Sequence, residues 1–160
     1  MAKIVIDEPC LTLPIVINYV GPKPENVYFE MRNLLKRIFG VEDKHIEERE
    51  LRWDRSSAEE KFSSTFFVSK PLTEVTYIFV EIKIDGSTKP SKEFEREGRV
   101  SILIDPRIKN SVVQSSLMAG LFGFIYRRQL EAEVQKYKDE CREIIKLLES
   151  DLKNFLGIRV

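Results

Sequence analysis

The fold is decided by residues 130–156, which read LEAEVQKYKDECREIIKLLESDLKNFL. Their apolar side chains recur every three or four residues within a sector of about 100° around the helix axis, which is typical of a helix packed on a core. This stripe consists of Leu130, Val134, Tyr137, Cys141, Ile144, Leu148, Leu152 and Phe155. The opposite side is charged, and Gly157 favours termination of the helix. The sequence therefore predicts a long amphipathic helix at the C-terminal end.

The preceding segment, residues 117–126, is also apolar but is out of phase with that stripe. One helix over residues 114–156 would measure roughly 65 Å, whereas a compact domain of this length is about 40 Å across. The helix could kink at Gly120–Gly123 and bury the segment in the core. Alternatively, the segment forms a patch for self-association, for a protein partner or for peripheral contact with a membrane. The candidate patch comprises Leu117, Leu121, Phe122, Phe124 and Ile125.

The upstream sequence predicts one early helix and several strands. The helix spans residues 24–39, where apolar side chains again follow helical spacing, and Gly40 provides a left-handed cap. Strands are predicted at residues 11–20, 61–69, 75–84 and 100–104, and the polar residues 85–98 are predicted to form a mobile loop. Residues 44–55 are ambiguous: HIEERE could form a helical turn capped by Asp43, but the alternation of Leu51 and Trp53 favours a strand. Short connections favour antiparallel pairing, and the two helices must cover the apolar face of the sheet. The predicted fold class is α+β, with an antiparallel sheet of about four to six strands.

Composition limits the functional classes. The chain of 160 residues fits a single domain, residues 1–160, and its 26 basic and 26 acidic residues balance, which argues against nucleic-acid binding. No export signal or membrane-spanning stretch is apparent, so a cytoplasmic location is expected. Cys10 and Cys141 lack metal-ligand spacing and are expected to be core thiols. The abundance of Lys, Glu and Arg with little Gln leans toward a thermophile.

No catalytic constellation emerges from the motifs. The lone His45 stands among charged residues, the glycines form no phosphate-binding motif, and the cysteines form no zinc pattern. The sequence therefore indicates no catalytic residue, metal or cofactor, and leans away from an enzyme. The best residual candidate is Arg52-Trp53-Asp54-Arg55, where a strand would place Trp53 and Arg55 on one face. An aromatic wall beside a guanidinium could orient an anionic or planar ligand, although Trp53 could equally be a core residue.

The element order resembles the helix-grip arrangement of START and Bet v 1-like domains, in which a curved antiparallel sheet grips the last helix. The resemblance covers most of the chain in order, without a specific motif, and implies a cavity for an apolar ligand between sheet and helix. The chain departs from that arrangement by having one clear early helix rather than two. It also looks like conserved archaeal proteins of unassigned function with an RWDR-type strand.

Two functional hypotheses follow. The first is a non-enzymatic binding domain that holds an apolar small molecule or lipid under the C-terminal helix. Its tentative ligand-binding residues are Trp53, Arg55, Tyr77, Phe79 and Tyr137. The second is an assembly or adaptor protein that forms a homo-oligomer, docks a partner or touches a membrane surface through residues 117–126.

Overall fold

A computed structural model describes the backbone of residues 2–114 and 116–158, and the side chains of residues 6–110 and 131–158. The strands are β1 (Ala2–Pro9), β2 (Ile15–Pro22), β3 (Ile46–Asp54), β4 (Glu60–Pro71), β5 (Thr76–Ser91) and β6 (Glu95–Gln114). The helices are α1 (Asn26–Phe39) and α2 (Ser116–Leu156), with a short 3₁₀ turn at Asp43–His45. The predicted α+β class, with a six-stranded antiparallel sheet, one early helix and a long C-terminal helix, is confirmed.

The sheet follows the order β1-β6-β5-β4-β3, and β2 also pairs with β6. β1 and β2 lie end to end along the same edge of β6, because β1 pairs with residues 107–114 and β2 with residues 97–104. Residues 10–14 interrupt this edge. The break includes Pro14, which cannot donate a backbone hydrogen bond, and β2 accordingly begins at Ile15.

The prediction of a loop over residues 85–98 is wrong. β5 and β6 pair continuously from Thr76 opposite Asn110 to Ser91 opposite Glu95, so the hairpin tip is only residues 92–94. Backbone hydrogen bonds hold this extension, and backbone pairing does not require apolar side chains. Gly98 allows the close approach of the two strands, since a Cβ there would lie 1.9 Å from the carbonyl oxygen of Ser87.

One face of the sheet packs against both helices and forms a single hydrophobic core. α1 contributes Val27, Met31, Leu34, Leu35 and Phe39, and its Gly40 adopts the left-handed conformation (φ 63°) that the sequence predicts. α2 contributes Val134, Cys141, Ile145, Leu148, Leu152 and Leu156. The predicted stripe needs one correction near its end: Phe155 is 43% exposed and Leu156 is buried in its place.

The backbone of α2 is helical without interruption for 41 residues, which corresponds to about 61 Å. The secondary structure therefore shows no break of the helix at Gly120–Gly123. The candidate patch lies outside the part of the chain whose side chains the structure describes. A role for its residues therefore stays a prediction; they are Leu117, Leu121, Phe122, Phe124 and Ile125.

Cys10 and Cys141 are both fully buried, but they form a disulfide rather than two thiols. Their Cα atoms are 6.3 Å apart, within the range that a disulfide can bridge. Cys10 lies in the break between β1 and β2, where Arg142 of α2 also donates from Nε to the Cys10 carbonyl at 2.8 Å. The spacing of 131 residues conceals this pairing in the sequence.

Candidate functional site

Aromatic side chains gather where β3 and β4 pass beneath α1. Trp53 pairs in register with Phe62 on the helix-covered face, and their ring centroids are 5.0 Å apart in a stacked arrangement. Phe29 and Tyr28 of α1 lie 5.6 and 5.7 Å from Trp53. We call these four residues the aromatic corner. Phe29 is 61% exposed, so the corner opens to solvent on its α1 side.

A carboxylate lies directly beside the corner. Glu60, the first residue of β4, accepts a hydrogen bond from Trp53 Nε1 at 3.2 Å. The same carboxylate pairs with Arg55 Nε at 2.9 Å and with the guanidinium of Arg96. Arg96 also donates from Nε to Thr88 Oγ1 at 3.2 Å, which fixes the orientation of its guanidinium. Glu60 is therefore shared by one aromatic N–H donor and two cations.

A second carboxylate, Glu25, stands behind Arg96. Its Oε1 is 3.8 Å from Arg96 Nε, and its side chain is only 10% exposed. Among the residues that the structure describes, its Oε2 has no hydrogen-bond partner. A buried carboxylate oxygen without a partner is unfavourable, because the charge has left water without full compensation. Glu25, Arg55, Glu60 and Arg96 are called the ionic cluster below.

The extended hairpin brings the ionic cluster together. Glu60 pairs in register with Thr88 of β5, and Arg96 lies on the neighbouring stretch of β6. The backbone N–H of Lys23 donates to the Arg96 carbonyl at 3.0 Å, which holds the start of α1, and with it Glu25, against the hairpin. The cluster thus depends on residues 85–98 being strands rather than a loop.

Arg55 differs from the other members of the cluster. Its guanidinium carbon lies 5.3 Å from the centroid of the Trp53 ring, within cation–π range. Its side chain is 70% exposed, whereas those of Glu60 and Arg96 are 18% and 30% exposed. With Arg55 in place the cluster has two carboxylates and two guanidiniums. Without Arg55 the remaining three groups carry a net charge of −1.

Tyr28, a member of the aromatic corner, also takes part in a separate group of hydrogen bonds. Its hydroxyl donates to Glu48 Oε2 at 2.7 Å, and Ser64 Oγ donates to the same oxygen at 2.6 Å. Burial, supported by the hydrogen bond and the negative charge of Glu48, raises the pKa of Tyr28 to about 12. Tyr28 is therefore a protonated hydrogen-bond donor near neutral pH and anchors α1 to β3.

The five tentative ligand-binding residues do not form one site. The structure brings Trp53 and Arg55 into contact at the aromatic corner. Tyr77 and Phe79 lie on the opposite face of the sheet, where Phe79 stacks on Phe67 with centroids 5.5 Å apart. Tyr137 lies partly buried on α2 and packs against the core. One cavity between sheet and helix thus cannot be lined by all five.

The sequence interpretation missed Glu25, Glu60 and Arg96. A signal existed for Glu60, because it is two residues before Phe62 and therefore shares its face on a strand. Arg96 fell in the misassigned loop. Glu25 directly precedes α1, and nothing in its local sequence indicates a neighbour on β6.

The opposite face of the sheet carries charged groups that already have partners. Arg49 lies 5.1 Å from the ring of Phe67 and Lys109 lies 4.1 Å from the ring of Phe79. Arg49 also pairs with Glu47 at 2.8 Å. Lys83 pairs with Glu81 at 3.3 Å.

The described clefts lie at the surface. A cleft of about 390 Å³ runs along the outer hairpin, and a smaller one of about 160 Å³ lies between β1 and α2. The described side chains contain no group of three His, Cys, Asp or Glu residues arranged to hold a metal ion. Over the same part of the chain, neither helix combines the length and apolar character needed to cross a bilayer.

Comparisons with known proteins identify no family. No family model matches the chain, and no curated protein matches its sequence. Among solved structures, a delta-endotoxin is similar with a TM-score of 0.36 and 7% identity over 71% of this chain, which spans 62% of the endotoxin chain. A protein of unknown function from Staphylococcus aureus has a TM-score of 0.36 and 13% identity, covering 97% of this chain and 95% of the other. At this level of similarity neither protein indicates a family, and the resemblance to helix-grip domains stays a prediction.

Proposed function

We propose that the protein is a non-enzymatic binding domain that recognises a cationic group at the aromatic corner. The observation that carries the proposal is the position of Arg55, whose guanidinium lies over Trp53 and against Glu60 at once. An aromatic ring next to a carboxylate is a common receptor for guanidinium and ammonium groups. The exposed ring of Phe29 adds apolar surface for the rest of such a ligand.

The electrostatics of the corner support a cation rather than an anion. Glu60 and Glu25 are the most buried charges of the ionic cluster, and Arg96 and Arg55 balance them while Arg55 is in place. If a ligand takes the place of Arg55, the remaining three groups carry a net charge of −1. That charge and the face of Trp53 favour a cation over an anion.

The site is placed at the corner and not under α2, because the boundary between the sheet and α2 is closely packed. Val134, Ile145, Leu148 and Leu152 of α2 are at most 3% exposed and belong to the same core as the sheet. Binding of an apolar ligand there, as the helix-grip resemblance implies, stays a prediction. It would require these side chains to separate from the sheet.

The test uses the single tryptophan as its reporter, since the chain contains only Trp53. N-acetyl-argininamide and N-acetyl-lysinamide are titrated against the protein while the fluorescence of Trp53 is followed. N-acetyl-citrullinamide, a neutral isostere of the arginine probe, is the matched control ligand. We expect saturable binding of the cationic probes with a Kd on the order of 1 mM, weakened by added salt, and none of the citrulline probe.

A pair of protein variants separates the corner from general charge effects. Glu60→Gln removes the carboxylate that touches Trp53 and should abolish the saturable change. Glu59→Gln removes the same charge from an exposed neighbour and should leave binding unchanged. Equal binding of the cationic and neutral probes, or equal loss in both variants, would falsify the proposed function.

A further inference from the structure

Arg55 occupies the place that the proposed ligand would take. It makes both of the contacts attributed to a bound cation: the ion pair with Glu60 at 2.9 Å and the approach to the Trp53 ring at 5.3 Å. No other cation in the described side chains lies over Trp53. The site is thus filled by a side chain of the protein itself.

The position of Arg55 in the chain allows it to leave. β3 ends at Asp54 and β4 begins at Glu60, so Arg55 lies in the connecting segment rather than in the sheet. That segment is exposed, and Ser56 N–H bonds to Asp54 Oδ1 within it at 2.9 Å. Since the Arg55 side chain is already 70% exposed, moving it into water breaks few contacts.

The remaining members of the cluster are held more firmly. Arg96 is held by Thr88 and by both carboxylates, and Glu60 pairs with Thr88 of β5. Departure of Arg55 therefore leaves Glu25, Glu60 and Arg96 in place, with a net charge of −1. The groups that a ligand would then meet are the Trp53 ring, the Glu60 carboxylate and the exposed Phe29 ring.

We infer that Arg55 is an intramolecular competitor that a ligand must displace, and that the group it imitates is the guanidinium of an arginine side chain. This inference rests on the proposed function and specifies its regulation and its ligand class. A planar guanidinium can stack on the indole and donate to the carboxylate together. The ammonium of lysine is more strongly hydrated and satisfies this pair of contacts less well.

The experiment compares the wild-type protein with Arg55→Ala in the Trp53 fluorescence titration with N-acetyl-argininamide. Removing the competitor should tighten binding by about 3- to 10-fold, the combined effect expected of one exposed ion pair and one exposed cation–π contact. Arg52→Ala is the matched control. It removes the same charge three residues earlier in the chain, but Arg52 belongs to β3 and faces the other side of the sheet, opposite Ser63. Circular dichroism verifies that both variants fold.

The outcomes distinguish the two proposals. If wild-type protein and Arg55→Ala both fail to bind the arginine probe, the proposed function and this inference fail together. If the wild type binds and Arg55→Ala binds equally or more weakly, only the role of Arg55 as competitor is overturned. If Arg55→Ala binds N-acetyl-lysinamide more tightly than the arginine probe, the guanidinium assignment is overturned. Equal tightening in Arg52→Ala would show a general charge effect and would also overturn the competitor.

Discussion

At the scale of single residues, the corner is defined by polar groups that lie under aromatic rings. Glu48 and Glu60 each accept a hydrogen bond from an aromatic residue, from the hydroxyl of Tyr28 and from Nε1 of Trp53. Burying such carboxylates is favourable only when their partners are well placed. The two carboxylates therefore hold the aromatic rings in position, and the rings in turn cover the carboxylates.

Tyr28 gives a prediction that depends on pH. Its folded-state pKa is about 12, above the ordinary value of 10.0, so the folded protein retains this proton where the unfolded chain releases it. The resulting stabilisation is fully present below pH 10 and is lost as the pH rises toward 12. Spectrophotometric titration should show an ionisation step near pH 12 that belongs to Tyr28, and Tyr28→Phe should remove that step.

The same substitution tests the hydrogen bond to Glu48. Tyr28→Phe should lower the free energy of unfolding at pH 7 by about 1 kcal/mol, as measured by urea denaturation. It should also flatten the decline of stability between pH 10 and pH 12. Tyr77→Phe, on the opposite face of the sheet, is the control. An unchanged titration step near pH 12 in Tyr28→Phe would contradict the assignment.

At the scale of elements, the sequence predicts those helices and strands in which the pattern of apolar and polar side chains follows their burial. The apolar stripes of α1 and residues 130–156 reveal both helices, because their covered and exposed sides alternate with the helical period. The sequence also predicts β4 and β5 over the part of each strand that lies under the helices. Beyond that cover, residues 85–98 lose the alternation of apolar and polar side chains, so the pairing of the hairpin is not evident from the sequence.

The limits of the site prediction have the same origin. Arg55 directly follows β3 and is two residues after Trp53, so their proximity could be predicted from the period of two. Arg96 reaches the corner only through the extended hairpin, and Glu25 only through the Lys23–Arg96 backbone hydrogen bond. These contacts join residues far apart in the chain, and no local pattern encodes them.

Gly98 tests whether the hairpin extension is paired. A methyl group there would meet the Ser87 carbonyl oxygen, so Gly98→Ala must separate β5 from β6. We expect a loss of about 1–3 kcal/mol in the free energy of unfolding, typical of overpacking in an ordered region. Because Arg96 would shift with β6, binding of the arginine probe should weaken as well.

Gly157 provides the comparison for that substitution. It has a positive φ of 74°, but a Cβ there would meet nothing within 4 Å among the described residues. Gly157→Ala should therefore cost about 1 kcal/mol from backbone strain alone and leave probe binding intact. If residues 85–98 formed a loop, Gly98→Ala would be the milder of the two changes.

At the scale of the whole molecule, the disulfide joins the first edge of the sheet to the last helix. The link from Cys10 to Cys141 spans 131 residues, so it restricts the unfolded chain strongly. Reduction should lower the free energy of unfolding by about 2–5 kcal/mol. Urea denaturation with and without reductant measures this difference.

Two controls make the disulfide prediction specific. The double variant Cys10→Ser, Cys141→Ser should have the stability of the reduced protein and should not respond to reductant. A thiol reagent should detect no cysteine in the native protein, because both sulfur atoms belong to the disulfide. It should detect two after the protein has been unfolded and reduced and the reductant has been removed. Two thiols detected after unfolding without reductant would show that the bond had not formed.

The same link makes the chain between Cys10 and Cys141 a closed covalent ring. The ring contains the exposed connection after β3 and the turn between β4 and β5, which are natural targets for proteases. A single cut in either place opens the ring into two chains that the disulfide still joins, so no fragment is released. Nicked protein should therefore migrate as one species on a denaturing gel until reductant is added, and mild proteolysis by itself would not separate the two pieces.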